Sequence, residues 1–414
     1  MKILFVGDAP QADTGFGTVA KNLLLRWHNM GYDVNALGIN WFGDPYDTTD
    51  IPYKVWPVDK GSMDLLYGYQ KLWWIEKQVE PDLIFFLNDP WVIQKYLSYR
   101  PETNRLVRMV AYYPTDAGPM MPEWVEMLNK LDAQVCYSNF AERVYIESNK
   151  GVRPKNLYQI YHGVDTNVFH PINQQKARAV LNLPRDSFIV GMVARNQYRK
   201  RFDLLAKGFA EFAKDKDDVK LYIHTALKDV GFDILDMLRQ FKLDDKLIIT
   251  EDITPSMGVP LSTLNMIYNT FDVNALISLG DGFGLPVAES MATGCPQLVS
   301  DHSCLAELVD GHGGLTVKTA AWIMNTSGIN TWGGVSDYKD IAIKLEVLYK
   351  NKDLRMGLAQ QASDFIHQEQ FTWDYAAKEF DKIFRHIFHI MERKGQNGTP
   401  TFTESVGLSS PVSV

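Results

Sequence analysis

The feature that most constrains the fold is an alternation of short apolar runs with segments of helical periodicity, which occurs in both halves of the 414-residue chain. In the first half, an apolar run at 3–6 is closed by Gly7. The apolar residues that follow recur at helical spacing, namely Val19, Leu23, Leu24 and Trp27. Further apolar runs lie at 83–87, 106–111 and 133–137. Strands and helices that alternate in this way form a parallel sheet covered by helices on both faces, so a doubly wound α/β domain is predicted.

The alternation stops near 162–171, where turn-forming residues accumulate, and then starts again. In the second half we predict strands at 189–193, 220–224, 247–250, 272–276 and 297–300, with helices at 202–214 and 233–241 and another that begins near Pro286. A chain of this length is too long for one ordinary core. We therefore predict two Rossmann-like domains, at 1–170 and 171–372.

The C-terminal region is helical from 337 to about 393, with an interruption at 371–374. We predict that a last helix at 373–394 packs back on the first domain. The tail at 395–414 is rich in Gly, Ser, Thr and Pro and has no periodicity, so it is predicted to be mobile.

Charge and cysteine content limit the classes of partner. The formal net charge is −8, so no overall field attracts nucleic acid or an anionic membrane, although a local basic patch stays open. The three cysteines, Cys136, Cys295 and Cys304, are scattered and form no metal-binding pattern, which favours a reducing cytoplasm.

No stretch approaches the roughly 18 apolar residues of a membrane span, and the N-terminal apolar run is too short for a signal peptide.

The strongest motif is the segment 281–296, in which an acidic residue and a glycine turn precede a helix that opens at Pro286. Glycines allow a ligand to approach the backbone, and the free N–H groups at the start of a helix attract a diphosphate or sugar hydroxyls. Glu289 lies one turn into this helix. Its carboxylate can accept two hydrogen bonds from a ribose diol. The motif predicts a site for a nucleotide-linked sugar.

The second motif is the segment 191–201, where a strand ends in a loop that carries four cations. Arg195 can grip a phosphate with two hydrogen bonds, and Lys200 supplies a compact positive charge. Taken alone, such a loop is more often solvated surface. Its combination with the glycine and helix motif favours a diphosphate site that needs no metal ion.

These two segments resemble the retaining GT-B glycosyltransferases of family four, also called glycosyl transferases group 1. The family hallmark is two acidic residues with seven others between them around a Gly-Phe-Gly-Leu-Pro segment, and Asp281 and Glu289 occupy the acidic positions. The family's arginine and lysine are five residues apart, as are Arg195 and Lys200. The resemblance implies a GT-B fold: two Rossmann-like doubly wound domains face a central cleft, and a C-terminal helix crosses back to the first domain.

The resemblance also implies a role for each matching residue. Glu289 is expected to bind the donor ribose, and Asp281 to face the transferred sugar. The amides that line the sugar pocket are expected to be those of Phe283, Gly284 and Leu285. Arg195 and Lys200 are expected to bind the diphosphate without a metal. In this chain an aspartate, one methylene shorter, replaces the first glutamate of the hallmark.

Weaker similarities extend over most of the chain. The segment 13–17 resembles the family's first glycine loop, so Gly15 and Gly17 are expected to approach the donor phosphate from the first domain. The segment 162–171 resembles the connection between the domains, with His162 in place of the family's asparagine, and is expected to be structural. Glu307 is expected to fix a loop. Arg201 replaces the glycine that follows the family's lysine.

The loop 112–119 follows an apolar strand at a position where many relatives have a histidine close to the reacting sugar, and it contains none. Asp116 is the polar residue best placed to face the cleft, where it is expected to orient the acceptor or the sugar hydroxyls; the alternative is a turn-capping role. The strand-end loop 88–90 is a candidate wall of the acceptor site, because ligands bind at strand ends in such sheets.

The predicted function is the transfer of a sugar from a UDP- or GDP-sugar, the co-substrate, to a hydroxyl acceptor with retention of configuration. No metal ion or other cofactor is expected. The sequence leaves the acceptor open among a glycan, a lipid-linked glycan, a protein, a metabolite and a modified nucleobase. The nucleotide base is expected to stack near 254–259. Two alternatives remain, namely a non-catalytic nucleotide-sugar binding protein and a carbohydrate phosphorylase or sugar-phosphate synthase.

Overall fold

The computed structural model of the protein describes residues 1–102, 105–250, 253–254, 258–325 and 331–396. The first sheet is parallel, with strand order β3-β2-β1-β4-β5-β6-β7. Its strands are β1 (Lys2–Asp8), β2 (Asp33–Ile39), β3 (Lys54–Pro57), β4 (Leu83–Leu87), β5 (Arg108–Tyr113), β6 (Ala133–Cys136) and β7 (Leu157–Gln159). The helices around it are α1 (Gly15–Asn29), α2 (Met63–Tyr67), α3 (Tyr69–Val79), α4 (Pro90–Ser98), α5 (Pro122–Asn129) and α6 (Asn139–Ser148).

The second sheet is also parallel, with strand order β10-β9-β8-β11-β12-β13. Its strands are β8 (Phe188–Val193), β9 (Val219–His224), β10 (Leu247–Ile249), β11 (Val273–Leu276), β12 (Gln297–Ser300) and β13 (Gly314–Val317). The helices of this part are α7 (Gln174–Val180), α8 (Phe202–Phe212), α9 (Ile234–Gln240), α10 (Leu261–Tyr268), α11 (Leu285–Ala292) and α12 (Ser303–Val309). The predicted GT-B architecture of two Rossmann-like domains is confirmed.

The elements after the second sheet are an antiparallel hairpin and three helices. The hairpin consists of β14 (Thr319–Met324) and β15 (Trp332–Ser336). The helices are α13 (Tyr338–Lys350), α14 (Lys352–Ile366) and α15 (Trp373–Gln396). The sequence analysis did not predict the hairpin. The last helix runs two residues into the predicted tail, and 397–414 lie outside the described residues.

Alternate residues of the first sheet face two different cores, as a doubly wound sheet requires. On β1, Phe5 points into a core shared with α1 and α15, whereas Leu4 points into a core built with α3, α4 and α5. The strand interiors are fully buried, which explains why they appear in the sequence as unbroken apolar runs. The predicted domain limits at 170 and 372 remain a prediction, since the sheets themselves span 2–159 and 188–317.

The C-terminal helix α15 returns to the first domain and packs on α1. The ring of Trp27 meets the edges of Phe380 and Phe384, with ring centroids 5.6 and 5.2 Å apart. At the start of the same helix, Arg26 Nε lies 2.6 Å from the carboxylate of Asp374. The helix therefore ties the end of the chain to its beginning, while the chain between them builds the second domain.

Candidate active site

Three carboxylates lie at one edge of the first sheet, where the neighbouring strands β1, β4 and β5 end. Asp8 is the last residue of β1, and Asp89 and Asp116 follow β4 and β5. Burial raises the pKa of Asp89 to about 7, and repulsion from Asp116 adds to the effect. Burial also raises the pKa of Asp8, although Thr14 Oγ1 donates a hydrogen bond to its carboxylate at 2.5 Å. The first domain thus presents an acidic wall to the cleft.

The opposite wall carries cations on the loop that follows β8. Residues Tyr198–Lys200 form a single 3₁₀ turn, and the carbonyl of Arg199 accepts a hydrogen bond from the Leu279 amide at 2.7 Å. Arg201 then adopts a left-handed conformation, with φ of 47°, before α8 begins. Only glycine adopts that conformation without strain, which accounts for the glycine at this position in the resembled family. The turn directs two successive cations toward the cleft.

An ion-pair cluster joins the two walls. Lys200 Nζ pairs with Asp281 Oδ2, and both side chains are more than nine-tenths buried. Arg199 lies 3.5 Å from Asp281 and 3.4 Å from Asp116, so its guanidinium bridges the two domains. The predicted residues Asp116, Asp281 and Lys200 therefore meet in one place, through an arginine that the sequence analysis did not select.

Burial and charge act in opposite directions on these groups. Burial raises the pKa of Asp281, but the adjacent cations of Lys200 and Arg199 outweigh it and the net shift is downward. Burial lowers the pKa of Lys200, as does Arg199, and Asp281 opposes them. Burial raises the pKa of Asp116 despite attraction from Arg199. Asp281 is therefore held as a carboxylate, whereas Asp116 takes up a proton more readily than an exposed aspartate.

Arg195 is not part of this cluster. Its side chain is half exposed, and its guanidinium forms two hydrogen bonds with Asp229, at 2.7 and 3.3 Å. The pKa of Asp229 is lowered, because the hydrogen bond and charge of Arg195 outweigh partial burial. A diphosphate that binds Arg195 must therefore compete with an aspartate of the same domain.

Two glycine motifs face each other across the cleft. Thr14 caps α1 by accepting a hydrogen bond from the Gly17 amide at 2.9 Å. A Cβ added to Gly15 lies 3.7 Å from Leu285 Cδ1, so the first turns of α1 and α11 are in contact distance. Gly284 caps α11 with φ of 90°, a conformation that L side chains rarely adopt. The first turn of α11 thus lies beside the predicted first glycine loop.

The side chain of Phe283 has a structural place, in addition to any role of its amide. It is buried, and its ring lies 4.8 Å from that of His162. His162 in turn shares a 2.6 Å hydrogen bond with the hydroxyl of Tyr112, and burial lowers its pKa to about 3. The neutral imidazole is consistent with the structural role expected for this segment.

Glu307 also connects the domains. It lies on α12, and its carboxylate accepts hydrogen bonds from the amides of Asn139 and Phe140 at 3.0 and 2.7 Å, at the start of α6. The hydroxyl of Tyr161 donates to the same carboxylate at 2.5 Å. A residue of the second domain thus caps a helix of the first.

Glu289 belongs to the same segment as Asp281, but its carboxylate is paired with a tyrosine and not with a cation. The hydroxyl of Tyr268 donates a hydrogen bond to Glu289 Oε2 at 2.8 Å. Burial raises the pKa of Glu289 to about 7. The carboxylate that is expected to accept two ribose hydroxyls is therefore fully ionised only above neutral pH.

We expect the variant Glu289→Gln to be more stable than the wild type at pH 8 by on the order of 1–3 kcal/mol, and equally stable at pH 4.5. The folded carboxyl has a pKa raised from 4.5 to about 7, so the folded protein binds more protons than the unfolded chain within that window. The free energy of unfolding therefore falls as the pH rises from 4.5 to about 7, and a glutamine, which does not ionise, avoids that fall. Thermal unfolding at both pH values measures the effect. An equal stability difference at the two pH values contradicts it.

Sequence reasoning missed several residues of the site. Asp8 appears in the sequence as the end of a strand before a turn, and Asp89 was named only within the candidate wall at 88–90. Arg199 is one of three consecutive cations, and the sequence does not show that the 3₁₀ turn directs its side chain toward Asp116. Asp229 and Tyr268, the partners of Arg195 and Glu289, lie too far away in sequence to be linked to them. The segment expected to hold the base, 254–259, lies partly outside the described residues.

Within the described ranges, no group of three or more His, Cys, Asp or Glu side chains is arranged to hold a metal ion. In the same part of the chain, no helix combines the length and apolar character needed to cross a membrane.

The comparisons with known proteins match a segment of the chain to a family. Residues 173–333 match the family described as Glycosyl transferases group 1, which confirms the resemblance seen in the motifs. The D-inositol 3-phosphate glycosyltransferase of Mycobacterium leprae is 23% identical over 324 residues, which cover 76% of this chain and 67% of that protein. The corresponding enzyme of Mycolicibacterium smegmatis is 28% identical over 214 residues, 52% of this chain and 44% of its own length.

Solved structures show the same fold over nearly the whole chain. Sucrose-phosphate synthase from Thermosynechococcus elongatus superposes with a TM-score of 0.74 at 16% identity, covering 94% of this chain and 100% of that one. The Anabaena protein HepE, solved in complex with UDP and glucose, superposes with a TM-score of 0.69 at 16% identity, covering 93% and 100%. At this level of identity, both similarities establish the fold.

Proposed function

We propose that this chain, which combines the GT-B fold with a glycosyl transferases group 1 segment, transfers a sugar from a nucleoside diphosphate donor to a hydroxyl acceptor. The observation that carries the proposal is the convergence of Lys200, Arg199, Asp281 and Asp116 in the cleft between the domains. Buried cations of one domain and carboxylates of both meet there. Such a site can hold an anionic leaving group on one side and sugar hydroxyls on the other.

The donor diphosphate is proposed to bind between the start of α11 and the cations of the loop after β8. Helix N-terminal amides attract anions, and Lys200 adds a full positive charge. Asp281 neutralises Lys200 in the free protein, so the buried ammonium is not left without a partner. A UDP-sugar is the first donor to test, since the Anabaena protein of the same fold was solved with UDP and glucose. Glu289 is proposed to bind the ribose.

In the proposed step, the bond between the anomeric carbon and the oxygen of the β-phosphate breaks. A new bond forms from that carbon to the acceptor oxygen on the same face, so the configuration is retained. The acceptor proton passes to the leaving phosphate oxygen. Lys200 and the α11 amides stabilise the negative charge that develops on that phosphate, in place of a metal ion. Asp116 and Asp281 orient hydroxyl groups.

Thermal unfolding with UDP, GDP, ADP and their sugars tests this proposal. A nucleotide at 100 times its dissociation constant adds about 2.7 kcal/mol of stability. We expect one nucleotide to stabilise the wild type, and the variant Arg195→Ala to weaken that stabilisation about tenfold in affinity, because a charge-assisted contact is lost. Arg239→Ala is the control, since Arg239 is an exposed arginine paired with Asp236 on α9. No stabilisation by any nucleotide contradicts the donor site, and unchanged affinity in Arg195→Ala removes Arg195 from it.

Turnover separates the proposed enzyme from its alternatives. Tight nucleotide binding with neither donor hydrolysis nor transfer identifies a binding protein. A strict requirement for free phosphate identifies a phosphorylase. Transfer that continues in the presence of a chelator supports a reaction without a metal ion.

A further inference from the structure

The hairpin β14–β15 reaches from the second domain to the first. The amide of Trp332 donates a hydrogen bond to the carbonyl of Gly118 at 2.8 Å, forming a short antiparallel bridge. Gly118 lies two residues after Asp116. The hairpin is thereby fixed beside the carboxylate that faces the reacting end of the cleft.

A cavity of about 190 Å³ lies between the hairpin and the first domain. Its lining includes Asp116, Phe140, Val144, His302, Trp322 and Trp332. One liquid water occupies about 30 Å³, so the cavity has the volume of roughly six waters. It has room for one ring of monosaccharide size.

Two tryptophans of the hairpin are exposed where they line this cavity. The exposed fraction is 55% for Trp322 and 45% for Trp332. Trp322 pairs with Gly334 and Trp332 with Met324, so the two indoles lie on the same face of the hairpin. Next to them, the side chain of His302 is only 8% exposed and its ring lies 5.4 Å from that of Trp322.

We infer that this hairpin pocket, defined by Trp322, Trp332, Phe140, Val144, His302 and Asp116, binds a pyranose ring of the acceptor. The inference rests on the proposed glycosyl transfer and adds to it the chemical class of the acceptor. The C–H face of a pyranose matches the apolar faces of the two indoles. Its hydroxyls supply the donors that a carboxylate requires.

Other acceptor classes fit the pocket less well. An anionic group would compete with the carboxylate of Asp116 for the guanidinium of Arg199, which lies 3.4 Å from that carboxylate. A nucleobase edge mixes donors with ring carbonyls and unprotonated nitrogens, so only part of it can bind a carboxylate, whereas every hydroxyl of a pyranose can donate. An acyl chain offers no hydrogen-bond donor to Asp116. A neutral ring with several hydroxyls avoids all three conflicts.

The test uses the full chain saturated with UDP, with 5-hydroxymethylcytidine as a comparison compound and three probes, the methyl glycosides of glucose, galactose and mannose. Saturation-transfer NMR measures which of them binds. We expect at least one to bind, and each of the variants Trp322→Ala and Trp332→Ala to weaken that binding roughly tenfold. Trp332→Phe keeps an aromatic face and is expected to restore most of it. Trp74→Ala is the matched control, because Trp74 is also exposed but packs on Trp56 in the first domain.

Thermal stabilisation by UDP is measured on every variant as a separate reading of the donor site. If UDP stabilises the wild type but no methyl glycoside binds, the pyranose assignment is wrong and the donor proposal stands. The same conclusion holds if both tryptophan variants bind as the wild type does, or if a 5-hydroxymethylcytidine probe binds at these tryptophans in place of the glycosides. If no nucleotide stabilises the wild type, the proposed function fails and this inference is withdrawn with it.

Discussion

Replacing Lys200 by alanine is expected to lower kcat/KM for sugar transfer by about 100- to 1000-fold, or about 3–4 kcal/mol of transition-state stabilisation. The ammonium of Lys200 is buried beside Asp281, so no water replaces its charge efficiently when the phosphate leaves. Steady-state kinetics with the donor identified by thermal unfolding measure the effect. Near-normal turnover removes Lys200 from the diphosphate site.

A loss of folding must be separated from a loss of chemistry in this variant. Without Lys200, the buried carboxylate of Asp281 keeps only Arg199, at 3.5 Å, and an uncompensated buried charge is destabilising. The double variant Lys200→Ala with Asp281→Asn removes both charges. We expect it to recover thermal stability without recovering turnover. Lys228→Ala removes an exposed lysine of the same domain and serves as the matched control.

Replacing Gly280 by alanine is expected to lower transfer about 100-fold while leaving the separate domains folded. A Cβ at this position lies 2.1 Å from the carbonyl oxygen of Asp116 on the opposite domain, well inside van der Waals contact. The backbone of Gly280 also accepts a hydrogen bond from Arg199 at 2.9 Å. The domains must therefore shift by about 1 Å, and a misplacement of that size costs about 100-fold in rate. Kinetics and UDP affinity, measured together, check this.

The matched control for this change is Gly357→Ala. Gly357 lies within α14, and a Cβ there meets no atom within 4 Å among the described residues. Alanine is expected to stabilise that helix by roughly 0.5–1 kcal/mol, without an effect on transfer. If Gly280→Ala transfers sugar as fast as this control does, the close approach of the two domains at Asp116 is not needed for the reaction.

The fold was largely predictable because its strands are buried on both faces. Strands such as Leu83–Leu87 have no polar positions, so they stand out as apolar runs between helical segments. β2 was missed, since Asp33 and Asn35 interrupt its apolar pattern. The hairpin was missed for a different reason. Its residues at 319–324 are mostly exposed, so they show no alternation of buried and exposed positions that a sequence could reveal. The hairpin is held in place by its contact with the first domain.

The site was predictable where a motif fixes local geometry and unpredictable where partners are distant. The positions of Lys200 and Asp281 follow from a strand-end loop and a helix start, both visible in sequence. The pairing of Arg195 with Asp229 spans 34 residues, and the bridge from Arg199 to Asp116 crosses between domains. The first contact follows from the pairing of β8 with β9 and the second from the packing of the two domains, and sequence patterns specify neither.

The cap that Glu307 places on α6 makes one domain part of the other's secondary structure. Ser138 accepts from the third amide of that helix, and Glu307 accepts from the first two. If the cleft opens at this point, two amides lose their acceptor, at a cost typical of a lost helix cap, about 0.5–2 kcal/mol. When the domains separate to admit substrate, they therefore either rotate about this contact and keep it, or break it and remove the cap of α6.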